Sequence, residues 1–179
     1  MDESDLIGKI AARAADSMTQ TDQMDVVVAQ IAPPLGAGDL ESSIISLGFT
    51  PPALLVSLFR QVGNGGFGPG YGLMGLNNGS PDDQGNTAVS LYTYFSWEDP
   101  EDPDWTWPER LLPICNWGCA IYSCLDCREE NPTVVIWDPN VWQTGTPPED
   151  AMRRMDMKLS EWLAAWANGE DLWTRMFPD

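Results

Sequence analysis

Between Val62 and Gly72 the chain reads VGNGGFGPGYG, with six glycines and one proline in eleven positions. Glycine inside a helix or strand costs about 0.5–1 kcal/mol relative to alanine, and proline removes a backbone donor. The stretch therefore excludes regular structure along itself and demands turns with positive φ. A helix precedes it, because Leu54, Leu55, Leu58, Phe59 and Val62 recur at i, i+1, i+4, i+5 and i+8 as one apolar face. Pro51 and Pro52 suit its first turn; Gly63, Asn64, Gly65 and Gly66 stop it. Downstream, Phe67, Tyr71, Leu73 and Leu76 predict a loop passing into a strand. Gly63, Gly65 and Gly68 also satisfy G-x-G-x-x-G. The dinucleotide fingerprint, however, follows a strand and opens a helix, whereas here a helix comes first and Pro69 comes after. The spacing reads as a structural turn.

The flanking segments fill in an α+β pattern. Residues 4–17 predict an amphipathic helix with a weak face at Leu6, Ile10 and Ala14. Val26, Val27, Val28, Ala29, Ile31 and Ala32 form an apolar run that periodicity leaves between helix and strand. A second helix is expected from Asp39, a plausible N-cap, through Leu40, Ile44, Ile45 and Leu47 to Gly48. Asn77–Asn86 reads as a turn or surface loop, and Thr87–Phe95 as a strand or short helix. Leu111–Leu125 and Thr133–Trp137 predict strands, apolar on both parities and so covered on both faces, with a polar turn over Cys127–Pro132. A last helix runs near Lys158–Ala167 with Leu159, Trp162, Leu163 and Trp166 as its buried stripe. Helices at both ends around a mainly antiparallel sheet, built from the segments between Phe67 and Trp137, make a single α+β domain.

Charge narrows the role. Twenty-seven acidic residues against nine basic ones give a net charge of −18. Such a field repels nucleic-acid phosphates and anionic membrane surfaces and favours basic partners. Residues 97–109, WEDPEDPDWTWPE, carry six acids, three prolines, three tryptophans and no base. The prolines predict an exposed loop. Tryptophan beside carboxylates can form a hot spot for a basic protein surface, so Trp97, Glu98, Asp99, Glu101, Asp102, Asp104 and Trp105 are the candidate partner contacts. The competing reading turns the indoles inward as a cap on the core and leaves the acids merely solvated. A calcium loop would need a glycine turn and an acid spacing that are missing here. Arg153, Arg154 and Lys158 form the one basic cluster, placed either to pair with this loop or to lie beside the partner site.

Cys115, Cys119, Cys124 and Cys127 fall within thirteen residues and so raise the question of zinc. Their spacing is not that of paired C-x2-C ribbons, and Cys119 and Cys124 would lie on opposite faces of one extended strand. Small buried thiols are the main reading, zinc the lesser, and no cofactor is assigned. The chain has no histidine. That removes Ser-His-Asp and Cys-His arrangements and the usual neutral-pH base, so no enzyme is expected. The first residues, MDESDLIGKI, lack a basic n-region and an apolar h-region, and no apolar run nears the ~20 residues of a membrane span. A cytoplasmic protein with reduced cysteines is the expectation.

Gly48-Phe49, Pro51-Pro52, Leu54, Leu58-Phe59 and Val62–Gly72 are followed in order by Trp107-Pro108, Leu111–Ile114, Trp117-Gly118-Cys119, Leu125-Asp126, Val134-Val135 and Glu161-Trp162-Leu163. In this order the segments resemble the SMI1/KNR4 family of the SUKH superfamily. The resemblance covers about residues 33–175 of an expected domain at 33–179, with residues 1–32 as an N-terminal helical extension outside it. The resemblance implies the same α+β fold and a role in binding other proteins. Bacterial members include immunity proteins that neutralise toxin domains, many of them nucleases, so a basic toxin domain is the implied partner. Eukaryotic relatives suggest the alternative, a regulatory or scaffold module with no toxin partner. Within the motifs, Gly63, Asn64, Gly65, Gly66, Phe67, Gly68, Pro69, Trp117, Gly118, Asp126 and Trp162 are structural in character, and no catalytic residue is carried over.

Overall fold

A computed structural model describes residues 2–22, 30–98 and 100–177. Its elements in chain order are helices α1 (Glu3–Ala14), α2 (Ala37–Leu47), α3 (Ala53–Gln61) and α4 (Ala88–Phe95), then strands β1 (Leu111–Asn116), β2 (Tyr122–Asp126) and β3 (Thr133–Trp137). A 3-10 turn at Pro148–Ala151 leads into β4 (Met152–Lys158), α5 (Leu159–Ala167) and α6 (Leu172–Met176). The strands form one antiparallel meander, ordered β1-β2-β3-β4. The fold is thus α+β, with the sheet in the second half of the chain.

Every residue of β1, β2 and β3 is buried, as double coverage of the sheet requires. Side chains alternate between faces along a strand, and Tyr122 lies opposite Trp137 in the β2–β3 register. Those two therefore share one face, packed by Phe95 of α4. On the other face Ser123 receives the indole N–H of Trp117 at 2.8 Å and lies against Met176 of α6. Here α5 buries Trp162 and Trp166 completely, packed in turn against α1. Leu6, Ile7, Ile10 and Ala14 of α1 belong to the same apolar cluster as the strands.

The glycine stretch departs from expectation in one respect. Phe67–Leu76 forms no strand; Leu73 makes a single antiparallel bridge to Cys115, and the sheet begins only at Leu111. Six of its glycines between Gly63 and Gly72 hold positive φ, which a ladder cannot accommodate. The segment still lies along β1, with Tyr71 N–H donating to Asn116 O (3.0 Å) and Met74 N–H to Ile114 O (2.8 Å). Its own amides are used internally. Gly66 donates to Leu73 O, Gly68 to Gln20 O and Gly70 to the Asp22 carboxylate, which leaves none of the three for a phosphate. Asn64 is the hub: its side chain accepts from Leu76 N–H (2.9 Å) and donates to Asn77 O (3.1 Å), while its carbonyl accepts from Ser80 N–H (2.8 Å).

Other differences are local. Of the strand and short-helix readings of Thr87–Phe95, the helix is found, over Ala88–Phe95, opened by a capping box between Thr87 and Ser90. The helix after residue 36 is capped by Gly36 rather than Asp39, which sits in its first turn. The predicted 111–125 strand breaks after Asn116 because Gly118, Cys119 and Ala120 turn left-handed. Strand β4 lay unread in MRRMDMK, whose charged edge pattern does not alternate cleanly. Residues 26–29 of the apolar run lie outside the described residues; Ile31 and Ala32 belong to no helix or strand.

Among the described residues, the basic cluster pairs internally with the β2–β3 hairpin and not with the 97–109 loop. Buried Asp126 accepts from Arg128 (2.6 and 2.7 Å) and from Arg154. Glu129 takes Arg154 (2.9 Å) and Lys158, and Arg153 reaches Met176 O. Hydrogen bonds from Arg128 first, then Arg154, hold the Asp126 carboxyl well below the usual carboxylate range despite burial.

Two stability measurements follow. Gly65 and Gly85 share nearly the same φ, 86° and 87°, but a Cβ on Gly65 would lie 2.5 Å from Gly75 N whereas one on Gly85 meets nothing within 4 Å. Gly85→Ala should therefore cost about 1 kcal/mol and Gly65→Ala about 3 kcal/mol or more, read from urea midpoints at constant slope. Asp126→Asn should cost about 2 kcal/mol at pH 7. Because the folded-state pKa of Asp126 is depressed, its contribution is present above the unfolded value of 3.8 and lost as pH falls through the lower folded one. The gap between wild type and Asp126→Asn should stay constant from pH 7 to 5 and narrow below pH 4.

Candidate functional site

The largest aromatic assembly lies where α4, the acidic loop and the β2–β3 end of the sheet meet. Helix α4 ends at Phe95, whose carbonyl has no helical partner and accepts the Trp105 indole N–H at 2.8 Å. That bond folds the proline-rich loop back onto the helix. Trp107 follows it inward, donating to Leu111 O at 2.8 Å and packing 4.4 Å from Phe95 between ring centroids. The turn after β3 adds Trp142, held by an indole bond to Thr146 O at 2.9 Å. Trp105 stands near-perpendicular to Trp142 at 5.3 Å and to Trp137 at 5.9 Å. Edge-to-face pairs of this kind add about 0.5–1.5 kcal/mol each beyond area burial.

Above these rings opens a groove of about 550 Å³. Trp97, Asp102 and Trp105 of the loop line it, with Tyr94 of α4, Tyr122 of the sheet and Trp142. Tyr94 and Trp97 are among the few large apolar side chains left exposed, at 70% and 62%. Among the described residues, no lysine or arginine lines the groove. Outside the lining, Asp82 accepts from Tyr122 Oη at 3.2 Å; burial and that neighbouring charge push the phenol's pKa up. Among the described residues, the groove thus combines an aromatic floor with one lining carboxylate, Asp102, and no lining base.

The structure divides the sequence-derived contacts. Trp97 faces outward, whereas Trp105 is half-buried and Trp107 buried, so each of the two opposed readings of the loop describes part of it. Asp102 lines the groove; Glu98, Glu101 and Asp104 are exposed on the same loop; Asp99 lies outside the described residues. Sequence reasoning missed Tyr94, Tyr122, Trp137 and Trp142, which come from three other segments. The one local signal was WDPNVW, two tryptophans flanking an Asp-Pro-Asn turn.

The other motif residues are structural in their contacts. Phe67 and Trp162 are fully buried, Pro69 O accepts from the Cys115 thiol at 3.1 Å, and Gly118 N–H donates to Asn116 Oδ1 at 2.7 Å. Cys115 and Cys124 are buried in the sheet while Cys119 sits on an exposed turn. Burial pushes the Cys115 and Cys124 thiols well up, and Cys127 up to about 12, which disfavours the thiolates a zinc ion needs. Among the described residues no three His, Cys, Asp or Glu side chains converge as metal ligands, and no helix is long and apolar enough to cross a membrane.

Comparison with known proteins adds one match. The model of the SMI1 / KNR4 family (SUKH-1) matches residues 39–165, most of the chain and all of the groove's lining residues. No curated protein and no solved structure matches it.

The floor and the rim of the groove should separate on substitution. Trp107→Ala should destabilise by about 3–5 kcal/mol, since it empties a buried, hydrogen-bonded ring site. Trp97→Ala should stay within about 0.5 kcal/mol of wild type, as an exposed side chain outside the core. Urea unfolding of the two variants checks both.

Proposed function

The chain belongs to the SMI1/KNR4 (SUKH-1) family, and from that premise we propose that it is a non-catalytic immunity protein. In this role it neutralises a cognate bacterial toxin, a basic domain such as a nuclease, by binding it through the acidic groove. The observation that carries the reading is the groove itself: exposed indole and phenol rings, carboxylates on one loop, and no base among the lining residues. Interfaces draw most of their energy from a few desolvated aromatic anchors, while complementary charge raises the association rate and fixes orientation. A chain at −18 with this face suits a partner evolved to grip nucleic-acid phosphates, whose active surface is itself basic. Bacterial relatives of this type direct the reading to a toxin rather than to another basic protein. The absence of histidine supports occlusion over chemistry. The site of action would be the cytoplasm, where a delivered nuclease meets its target.

The test is co-expression with a basic toxin domain, sought first in the reading frames neighbouring this one, followed by association kinetics against salt. Rescue of growth and a steep salt dependence are expected. Converting Glu98, Asp99, Glu101, Asp102 and Asp104 to their amides should slow association about tenfold or more at low salt and flatten the salt slope. Unchanged affinity and slope would remove the loop as the contact. Recovery of housekeeping partners in place of any toxin would favour the scaffold alternative.

A further inference from the structure

Trp105 and Trp142, both half-buried, meet at 84° as two walls of a corner, and buried Trp137 packs at 74° against Trp105. The N–H groups of Trp105 and Trp142 are spent on the backbone carbonyls of Phe95 and Thr146. What these two rings offer an incoming group is therefore π surface. Buried Tyr122 underlies the floor, its hydroxyl donating to the Asp82 carboxylate. Asp102 lines the same groove.

A purely apolar anchor matches this floor but would desolvate Asp102 without giving it a partner, which is costly. An ammonium supplies charge but is compact and strongly hydrated. A guanidinium satisfies both halves of the site, since it is planar, weakly hydrated, stacks on indoles and donates two parallel hydrogen bonds to a carboxylate. We propose that the groove is an aromatic cage for a guanidinium group, so that the protein partner presents an arginine side chain to Trp105, Trp142 and Asp102. This rests on the binding role proposed above and names the chemistry the partner must carry.

The probe is the peptide acetyl-Gly-Arg-Arg-Gly-amide, titrated into the 15N-labelled 179-residue chain, beside the same peptide with citrulline, the neutral isostere, at both arginine positions. Saturable shifts of the indole N–H resonances of Trp97, Trp105 and Trp142 are expected, with the citrulline peptide at least about tenfold weaker. Trp97→Ala and Asp102→Asn should each weaken the arginine peptide about 3- to 10-fold. Glu3→Gln on α1, which removes the same charge without lining the groove, should stay within about twofold. The remaining indole resonances report whether each variant keeps its fold. Equal binding of the citrulline peptide, or an equal loss in Glu3→Gln, would overturn the cage in favour of general charge attraction. Because no toxin takes part, the two ideas fail separately. Peptide-induced shifts without toxin neutralisation would keep the cage and remove the immunity reading; neutralisation with no preference for arginine would do the reverse.

Discussion

The close approach of backbone to backbone around Gly63–Gly75 is the constraint from which the other contacts hang. Buried peptide groups must find partners, and a segment without helix or ladder has to find them one at a time. Asn64 supplies three of these bonds from one residue, and the carbonyls of Gly65 and Gly66 meet Ala32 N–H and the Gln20 side chain. The close contacts leave no space for a Cβ: on Gly66 it would lie 2.4 Å from Gln30 O. In exchange, the segment covers the outer edge of β1, which would otherwise present unpaired groups to a second chain. The opposite edge, β4, is protected differently, by Arg153 and Arg154.

The same segment places the groove. Gly75 O accepts from Ala88 N–H at 2.9 Å, fixing where α4 begins, and the Thr87 capping box sets its direction. Eight residues later the helix ends at Phe95, whose carbonyl draws in Trp105 and with it the acidic loop. On the sheet side, the bridge from Leu73 to Cys115 sets the position of β1, whose pairing with β2 and then β3 brings Tyr122 opposite Trp137. The two walls of the groove are thus positioned from one buried loop, along a helix and across a sheet.

Local pattern explains what the sequence could and could not disclose. The apolar periodicity of α3 and α5, the left-handed Gly48 that ends α2, and the apolar runs of β1–β3 are short-range signals, and each is visible within a dozen residues. Strand β4 was hidden because an edge strand can carry charge and its pairing with β3 slips between Thr133 and Val135. The role of residues 20–22 and 30–32 was hidden for a different reason. They meet the glycine loop through backbone atoms and through the Gln20 and Asp22 side chains, contacts between segments far apart in sequence, so no local pattern marks them and the clearest trace is glycine on the other partner. In the groove, Trp97, Asp102 and Trp105 were legible from one loop's composition. Tyr122, Trp137 and Trp142 were not, because their meeting is a matter of strand register and turn geometry.

Charge placement decides what a partner meets. Of the nine bases, Arg13, Arg128, Arg153, Arg154, Lys158 and Arg175 are engaged inside the protein, with carboxylates, backbone carbonyls or aromatic rings. These contacts gather around the α1–α5 packing, the β2–β3 hairpin and the C-terminal helix. Among the described residues, the groove's lining therefore holds Asp102 and no lysine or arginine. Long-range attraction acts before contact and is screened by salt within about 8 Å at physiological ionic strength. The aromatic floor acts only after contact and is little affected by salt. A basic partner would accordingly be drawn in by the acids and retained by the rings, so acid variants should alter mainly its arrival and ring variants mainly its departure.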